Sequence, residues 1–402
     1  MTLSKIDTIK QMYRDDAKNI AMPLMTTPEP KRLPHEASEA FTELLIKLKT
    51  VIAVTLEYEH MLALIYVQDK KLHVQYLEIP HPSGIFFDGK HLLVSSTRSP
   101  NQIIFFRMLD KTFSSETLPR HLPNLKNKDF ESSSSRLHAP LLIPVRSYFF
   151  PGHFSIHDVV KIKQEIYFTV TGLNFVAKTY PDGGFERVWH PKCVDYLRGN
   201  AFTTNYLQLN SMARGSTLKD SFFTAFSDQP TEEKPWKKGY GPKGKGVVFE
   251  GSSRETIYRG LTCPHSARKF MDKLWLCNSG MGELGTLELK EAKYTPVAKI
   301  PGFTRGLAFL GPYAIVGFSK VIPTYEPYAP GLDCKKSQCG IAFVNTKTGS
   351  LEATLVWPDG FQIYDVQTLG PIENVILPAN STMNSMNYYL TYYGWDRKWK
   401  SK

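Results

Sequence analysis

The chain has 402 residues, of which 42% are hydrophobic and 22% are charged, a composition typical of folded globular proteins. No apolar run approaches the length of a transmembrane helix, and the segment Met1–Lys18 lacks the apolar core of a secretory signal. We therefore expect a cytoplasmic protein without a membrane partner. The net charge of +11 favours anionic partners in general, but no nucleic-acid motif accompanies it, so no nucleic-acid binding is expected.

The first 49 residues are predicted to be a lead-in that contains one short helix. Residues Glu39–Lys49 place Phe41, Leu44, Leu45 and Leu48 at helical spacing, and we expect this helix to pack against the end of the main domain. From Val51 onward the pattern changes to short β runs separated by polar turns, which predicts an all-β domain. That domain is predicted to cover residues 50–380, and residues 381–402 form a basic C-terminal tail.

A repeat within the β region predicts a six-bladed β-propeller, with seven blades as the alternative. Six segments share one order of features: a polar or small residue, a β run, a turn and a second β run. Their starting residues are Ser83, His157, Asn210, His265, Arg305 and Tyr364. The intervals of 40 to 74 residues fit four-stranded blades with some longer loops. The last segment is predicted to supply the inner strand of the blade that begins at Val51, which closes the ring.

The starts of these segments are expected to form a ring at one mouth of the central channel, because the first strand of each blade lines that channel. The next position along each strand gives a second set: Gly84, Asp158, Ser211, Ser266, Gly306 and Asp365. Side chains alternate along a regular strand, so both sets cannot point into the channel. The sequence leaves open which set does so in each blade.

The ring residues suggest acid–base or metal chemistry. Imidazoles such as His157 and His265 serve as metal ligands or as proton donors and acceptors near neutral pH. With Asn210 as a third ligand, they would hold one divalent metal ion. Arg305 would bind the negative charge of a substrate. We predict catalytic roles for His157, His265 and Arg305.

Further polar residues extend the candidate site. Asp158 and Asp365 are predicted to act as bases or to orient a histidine, the alternative being that they tie loops to neighbouring backbones. Tyr364 is predicted to bind the substrate from the channel wall, the alternative being a place in the core. The segment LWLCNSGMGELG (274–285) places Asn278 and Glu283 near the same mouth as substrate-binding residues, unless it is simply a hairpin with polar turn residues.

The sequence resembles an uncharacterised bacterial β-propeller family of conserved hypothetical proteins, some of which occur beside tetratricopeptide repeats. The resemblance covers roughly residues 41–378 and rests on the segments IHDVVKIKQEIYFTVTGLNFVA, LNSMA, GLTCPHSARKFMDKLWLCNSGMGELG, PGFTRGLAFLGPYAIVGFSK, CGIAFVNTKTG and YDV. It implies the propeller fold but no particular reaction.

Carried over position by position, the resemblance marks the following residues: His157, Asn210, His265, Asn278, Gly282, Glu283, Arg305 and Asp365. The family pattern has Glu where this chain has Asp158, and His where it has Gln208. In fold, the ring is also similar to the mouths of six-bladed lactonases and strictosidine-synthase-like proteins, which surround a divalent ion or a substrate.

Three functional hypotheses follow. The first is an enzyme that acts on a small, anionic metabolite or a modified peptide, with a metal-dependent hydrolase, an isomerase and an oxidoreductase as the reaction classes. The second is a non-catalytic binding module for a peptide or an acidic protein partner, helped by the basic loop Lys234–Lys245. In the third, the ring holds only ordered water.

Overall fold

The computed structural model describes residues 33–98, 100–109, 140–235, 237–375 and 377. The predicted lead-in before residue 33 and the tail 381–402 lie outside these residues. The first elements are β1 (Glu36–Ala37), α1 (Glu39–Leu48), β2 (Val51–Leu56), β3 (Met61–Gln68), β4 (Lys71–Glu78), β5 (Pro82–Phe87), β6 (His91–Ser96), β7 (Asn101–Leu109), β8 (Leu141–Phe150), β9 (Ile156–Ile162), β10 (Glu165–Val170), β11 (Phe175–Thr179) and β12 (Phe185–Trp189). The remaining strands are β13 (Ser211–Ala213), β14 (Phe222–Ala225), β15 (Gly246–Glu250), β16 (Thr256–Leu261), β17 (Pro264–Phe270), β18 (Lys273–Asn278), β19 (Glu283–Glu288), β20 (Lys293–Lys299), β21 (Phe303–Leu310), β22 (Tyr313–Ser319), β23 (Gly340–Asn345), β24 (Leu351–Val356) and β25 (Ile363–Leu369). Short 3-10 helices cover Thr171–Leu173, Lys192–Phe202, Lys238–Tyr240, Ser279–Met281 and Pro323–Tyr328.

The strands form six antiparallel sheets, the blades of a six-bladed β-propeller, which confirms the predicted fold class. Blade I consists of β25, β2, β3 and β4, so its inner strand comes from the C-terminal end of the propeller. Blades II to V follow in chain order as β5–β8, β9–β12, β13–β16 and β17–β20. Blade VI contains β21–β24, and β1 adds a fifth strand at its outer edge. The shared blade I leaves no gap in the ring.

The hydrophobic core lies between the blades rather than in one central mass. Each blade presents apolar side chains on both faces, and these pack against the facing side chains of the next blade. Phe150 of blade II and Phe168 of blade III have ring centroids 4.8 Å apart. Phe270 of blade V stacks on Phe309 of blade VI at 4.1 Å. Adjacent blades are therefore held at fixed angles around the channel.

Helix α1 confirms the helix predicted near the N-terminus. It buries Phe41, Leu44 and Leu45 against β24, the fourth strand of blade VI, and β3, the third strand of blade I. Phe41 meets Phe343 of blade VI edge-on at 5.3 Å. Among the described residues, no helix is both long and apolar enough to cross a membrane.

The inner strands are irregular at the two ring positions. In blades II, III and VI the pairing between the inner strand and its neighbour shifts across both ring positions, and in blade V it shifts between His265 and Arg268, directly after the first ring position. In blade I the shift lies at Tyr364. Such β-bulges redirect side chains locally. The bulges resolve the alternation left open by the sequence, because successive residues no longer point to strictly opposite faces.

Side chains at the second ring position join neighbouring blades in a hydrogen-bonded collar. Each accepts a backbone N–H from the inner strand of the next blade. The four bonds run from Ile85 N to Asp365 Oδ2 (3.0 Å), from Met212 N to Asp158 Oδ2 (2.8 Å), from Ala267 N to Ser211 Oγ (3.0 Å) and from Gly306 N to Ser266 Oγ (2.8 Å). Backbone N–H groups of four inner strands thus find partners in the collar.

Glycine occupies the two remaining second positions because adjacent strands come into backbone contact there. A Cβ on Gly84 would lie 2.7 Å from the Cα of Asp158. A Cβ on Gly306 would lie 2.9 Å from the Cα of Asp365, and the φ angle of Gly306 is +86°. Both positions therefore exclude any larger residue without displacement of a blade.

One arginine bridges the two buried aspartates of the collar. The guanidinium of Arg268 donates from Nη1 to Asp158 Oδ2 at 3.0 Å and from Nη2 to Asp365 Oδ2 at 3.2 Å. Burial raises the pKa of both carboxyls, that of Asp365 to about 6, while Arg268 opposes the rise. Arg268 therefore compensates two carboxylates that have little access to water.

Replacing Arg268 with Gln should destabilise the fold in a pH-dependent manner. Loss of one partner from a buried ion pair costs about 3–5 kcal/mol, and here it leaves two carboxylates uncompensated. The folded-state pKa of Asp365, about 6, lies above its unfolded value, so protonation favours the folded state and the penalty grows as the pH rises through 6. Urea unfolding should therefore show a larger loss at pH 8 than at pH 5.

The matched control is Lys273→Gln on the same blade, whose partner Glu288 is half-exposed. This variant should change the free energy of unfolding by less than about 0.5 kcal/mol at either pH. Equal losses for the Arg268→Gln and Lys273→Gln variants would contradict the role given to the collar.

Candidate functional site

The six side chains at the first ring position divide into two groups. Ser83 and Asn210 bind the next blade: Ser83 Oγ donates to the carbonyl of Ile156 at 2.7 Å, and Asn210 Nδ2 donates to that of Pro264 at 2.9 Å. Asn210 Oδ1 also accepts from Thr224 Oγ1 at 2.8 Å. Both residues therefore fasten blades together, and four first-position side chains remain for the channel mouth.

His265 is buried and held in one tautomer. Its Nδ1 lies 3.0 Å from the carbonyl oxygen of Cys263 and 3.0 Å from Ser279 Oγ. Because a carbonyl can only accept, Nδ1 carries the proton and Nε2 carries the lone pair. Burial, followed by the positive charge of Arg305 and the proximity of His157, holds the pKa of His265 well below its usual range. The imidazole is therefore neutral at pH 7 and can accept a proton or a hydrogen bond.

Arg305 is buried at the centre of the remaining ring residues. Its guanidinium lies 3.3 Å above the ring centroid of Tyr364, and Nη2 is 3.4 Å from Nδ1 of His157. Since a guanidinium only donates, His157 accepts and is neutral. Burial and then Arg305 hold the pKa of His157 well below its usual range. His157 and Tyr364, whose rings also meet edge-on at 5.2 Å, thus position Arg305.

A glutamine links Arg305 to a buried carboxylate. With the Gln362 amide oriented so that its nitrogen donates to Glu57 Oε2 at 2.6 Å, its oxygen accepts from Arg305 Nη1 at 2.8 Å. Glu57 is itself buried and contacts Arg98 Nε at 3.2 Å and His81 Nδ1 at 3.1 Å. Both direct partners of Arg305, Gln362 and His157, are neutral. Its positive charge therefore has no carboxylate in direct contact among the described residues.

His265, Arg305 and Gln362 border a cavity of about 210 Å³ at the channel mouth. It is lined by Tyr58, Gln208, Phe226, His265, Phe303, Arg305, Ser319, Lys320, Val321, Ile322, Tyr325, Tyr328, Phe361 and Gln362. Six of these residues are Phe or Tyr, two are cationic and none is Asp or Glu. The cavity therefore combines aromatic walls with an uncancelled positive charge.

The outer edge of the cavity is formed by loops. Tyr58, between β2 and β3, places its hydroxyl 2.6 Å from that of Tyr325 in the 3-10 helix Pro323–Tyr328. Tyr325 stacks on Tyr328 at 5.4 Å. Burial, followed by the contact with Tyr325, raises the pKa of Tyr58, so the Tyr58 hydroxyl remains protonated at neutral pH. The two tyrosine side chains thus narrow the entrance.

The donor set at the mouth does not fit the predicted metal ion. Within the part of the chain that the structure describes, no group of three or more His, Cys, Asp or Glu side chains is arranged to hold a metal. Both polar atoms of the Asn210 amide are engaged, and Nδ1 of His157 faces a guanidinium. A cation beside Arg305 would also meet electrostatic repulsion.

Four other predicted residues lie away from the cavity wall. Asp158 and Asp365 serve the collar, as described above. Asn278 accepts the Thr262 N–H at 2.7 Å and donates to Glu283 Oε2 at 2.9 Å, at a tight turn of blade V. Asp158 and Asp365 therefore bind neighbouring backbones, and Asn278 and Glu283 are polar turn residues, which are the alternatives given for them in the sequence analysis.

Most residues of the cavity wall are not among the predicted site residues, because those were drawn chiefly from the starts of the inner strands. The residues two positions before a first ring residue also line the cavity: Phe303, Gln362 and Gln208. Gln208 stands where the family pattern has a histidine. Four residues at this relative position have a left-handed φ: His81, Ser155, Gln208 and Cys263. The chain enters the channel there, so polar or aromatic residues just before each ring position are the useful indicator.

The architecture and the site define a class: a six-bladed propeller with a cationic, aromatic-lined cavity at one channel mouth. The chain belongs to the family described as "Domain of unknown function (DUF4915)", whose model matches residues 39–377. This match confirms the resemblance found in the sequence. No curated protein matches the chain.

Several solved structures are similar to this chain at low identity. A nidogen/laminin complex chain is 9% identical, with a TM-score of 0.51, and the match covers 80% of this chain and 99% of that one. A luciferin-regenerating enzyme is 11% identical (TM-score 0.44; 72% and 80% covered). A virginiamycin B lyase from Staphylococcus aureus is 12% identical (TM-score 0.37; 81% and 99% covered). At these identities the first match supports the propeller fold alone.

Removing the charge of Arg305 should raise the pKa of both histidines. In the Arg305→Gln variant the guanidinium no longer opposes the imidazolium form, whereas Arg305→Lys retains a positive charge. NMR titration of the ring carbons of His157 and His265 should therefore show higher pKa values in the Gln variant than in wild type or the Lys variant. Identical titration curves in all three proteins would contradict the proposed electrostatics of the mouth.

Proposed function

We propose that this protein binds a small anionic metabolite with an aromatic or apolar body in the cavity at the channel mouth, and acts on it by acid–base chemistry. The observation that carries this proposal is the lining of the cavity, whose described residues include two cations, six Phe or Tyr residues and no carboxylate. A buried cation in apolar surroundings is stabilised by an anionic ligand that replaces lost solvation.

Arg305 is the anchor for the anion. Its guanidinium is fixed by the Tyr364 ring, His157 and Gln362, so little side-chain freedom is lost on binding. A guanidinium matches a carboxylate with two parallel hydrogen bonds, which favours carboxylate ligands. Lys320, exposed at the cavity edge, adds attraction for an approaching anion.

His265 is the proton acceptor in this proposal. The Cys263 carbonyl holds its Nδ1–H, which leaves the Nε2 lone pair for a ligand. The positive charge of Arg305 is one cause of the low pKa of His265, and an anion bound to Arg305 would offset that charge. Ligand binding thus raises the basicity of His265 toward the range in which general bases act.

The size of the cavity favours a metabolite over the modified peptide that the sequence left as an alternative. A volume of about 210 Å³ is below the roughly 300–1,000 Å³ of sites for drug-sized ligands. A single-ring carboxylate suits this space, and benzoate is the simplest probe.

Calorimetry with benzoate tests the binding step. Wild type and the Lys273→Gln control should bind benzoate, and benzyl alcohol, which lacks the charge, should bind at least about tenfold more weakly. Arg305→Gln should lose benzoate binding by a similar factor, because the charge-assisted hydrogen bonds are gone. Equal affinity of wild type and Arg305→Gln for benzoate would refute the anchor role.

Replacing His265 with Asn tests the catalytic step. The Asn amide can still donate to the Cys263 carbonyl but has no equivalent of the Nε2 lone pair. Turnover of a panel of small carboxylates can be followed by NMR. The His265→Asn variant should react about 10²–10⁴-fold more slowly than wild type and should still bind the ligand. Turnover that survives the substitution would exclude His265 as the base.

A non-catalytic small-ligand binder is the second candidate. It is favoured by the fact that His265 is the single imidazole or carboxyl group in the described cavity wall. Ligand binding without any turnover would support this candidate. For an acidic protein partner, the basic loop offers less than the sequence suggested, since Lys234 and Lys245 lie over the rings of Tyr206 and Tyr240 at 4.4 and 3.9 Å.

We also propose that the protein is cytoplasmic. All five cysteines are free thiols, which is in accord with a reducing compartment.

A further inference from the structure

A second cavity lies between blades II and III, at the opposite end of the propeller from the channel mouth. Its volume is about 440 Å³. The hairpins β5–β6 and β9–β10, which follow the far ends of two inner strands, border it. It is lined by Asp88, His91, Leu93, Phe105, Arg107, Val145, Arg146, Lys161, Gln164 and Ile166. We refer to it as the interblade groove.

Two arginines in the interblade groove have no carboxylate partner among the described residues. Arg146 donates from Nη1 to the hydroxyl of Tyr148 at 2.8 Å, a neutral acceptor. The Nε of Arg107 is buried and has no hydrogen-bond partner within the described chain. A buried donor without an acceptor is unfavourable, so an acceptor brought by a ligand would stabilise this arrangement.

The one carboxylate among the described residues of the interblade groove does not neutralise these arginines. Asp88 accepts from the backbone N–H groups of Lys90 and His91 at 3.0 and 2.7 Å, and from Lys161 Nζ at 2.7 Å. Partial burial raises its pKa, but the Lys161 contact and the N–H groups outweigh this and lower the pKa to about 2. Asp88 is therefore ionised and already occupied, chiefly by Lys161.

One part of the interblade groove wall is apolar. Leu93, Phe105, Val145 and Ile166 line it beside the two arginines. Phe105 is half-buried and meets the ring of Tyr148 edge-on at 5.0 Å. A ligand that fits would carry its negative charge at one end and a planar or apolar body at the other.

We propose that the interblade groove binds a small soluble phosphate ester, of the size of a nucleoside monophosphate. Guanidinium groups bind phosphate oxygens through paired, charge-assisted hydrogen bonds. The apolar wall would hold the base or another planar group. The volume of about 440 Å³ lies within the roughly 300–1,000 Å³ of small-ligand sites.

Adenosine monophosphate is the probe, with inorganic phosphate and adenosine as its two halves. Calorimetry should show that AMP binds wild type more tightly than either half does. Arg107→Gln and Arg146→Gln should each weaken AMP binding roughly tenfold or more, and Arg107→Lys should weaken it less because it keeps the charge. Arg305→Gln at the channel mouth and Lys273→Gln on blade V should bind AMP as wild type does.

Thermal unfolding without ligand separates a binding role from a structural one. Because Arg107 Nε has no partner among the described residues, Arg107→Gln should leave the Tm of the free protein unchanged or higher, while it abolishes the rise in Tm caused by AMP. A lower Tm without ligand, AMP affinity equal to that of adenosine, or unchanged AMP binding in Arg107→Gln would each overturn the proposal. Binding of an acidic peptide but not AMP would also overturn it.

Discussion

Six inner strands converge on one axis, and each must satisfy its backbone groups where it meets the next. The strands bulge at the ring positions, which takes N–H groups out of the normal ladder. Side chains of Asp365, Asp158, Ser211 and Ser266 accept backbone N–H groups of the next inner strand across the blade boundaries. The collar therefore fixes the relative positions of the blades at the level of the channel.

The same bulges make the cavity possible. They allow consecutive residues to serve different purposes: Asp365 accepts the Ile85 N–H, while the ring of the preceding Tyr364 stacks against the Arg305 guanidinium. In blade V, Ser266 joins the collar while His265 faces the cavity. The charge distribution follows from this division: the carboxylates lie in the collar with Arg268, and the cavity wall keeps Arg305 and Lys320. An anion is the ligand that this separation favours.

The repeat of polar strand starts was sufficient to predict the six blades and the shared first blade observed in the sheet order. It also predicted a ring with His265 and Arg305, both of which border the cavity. The pattern could not separate Asn210 from His265, since both are polar strand starts, and only the packing shows that the Asn210 amide binds Pro264 and Thr224. Likewise, nothing in the local sequence of Lys320 marks it as a cavity residue, because loops from different blades come together around it.

The second-position aspartates illustrate the same limit. A carboxylate beside a histidine in sequence suggests an orienting or catalytic pair, as for His157 and Asp158. The bulge turns Asp158 toward Met212 N and Arg268, while His157 contacts Arg305. The outcome depends on a backbone irregularity and on residues 54 to 148 positions away in sequence. Such long-range contacts are set by the closed ring and not by local pattern.

The central claim is that Arg305 binds an anion in an aromatic cavity, and a crystal structure with 4-bromobenzoate tests it most directly. Anomalous scattering from bromine locates the ring independently of any assumption about the pose. The account predicts one bromine site among the Phe and Tyr residues of the cavity, with the carboxylate within hydrogen-bond distance of the Arg305 guanidinium. Bromine sites only on the outer surface, or a ring in the cavity with its carboxylate turned away from Arg305, would contradict the account.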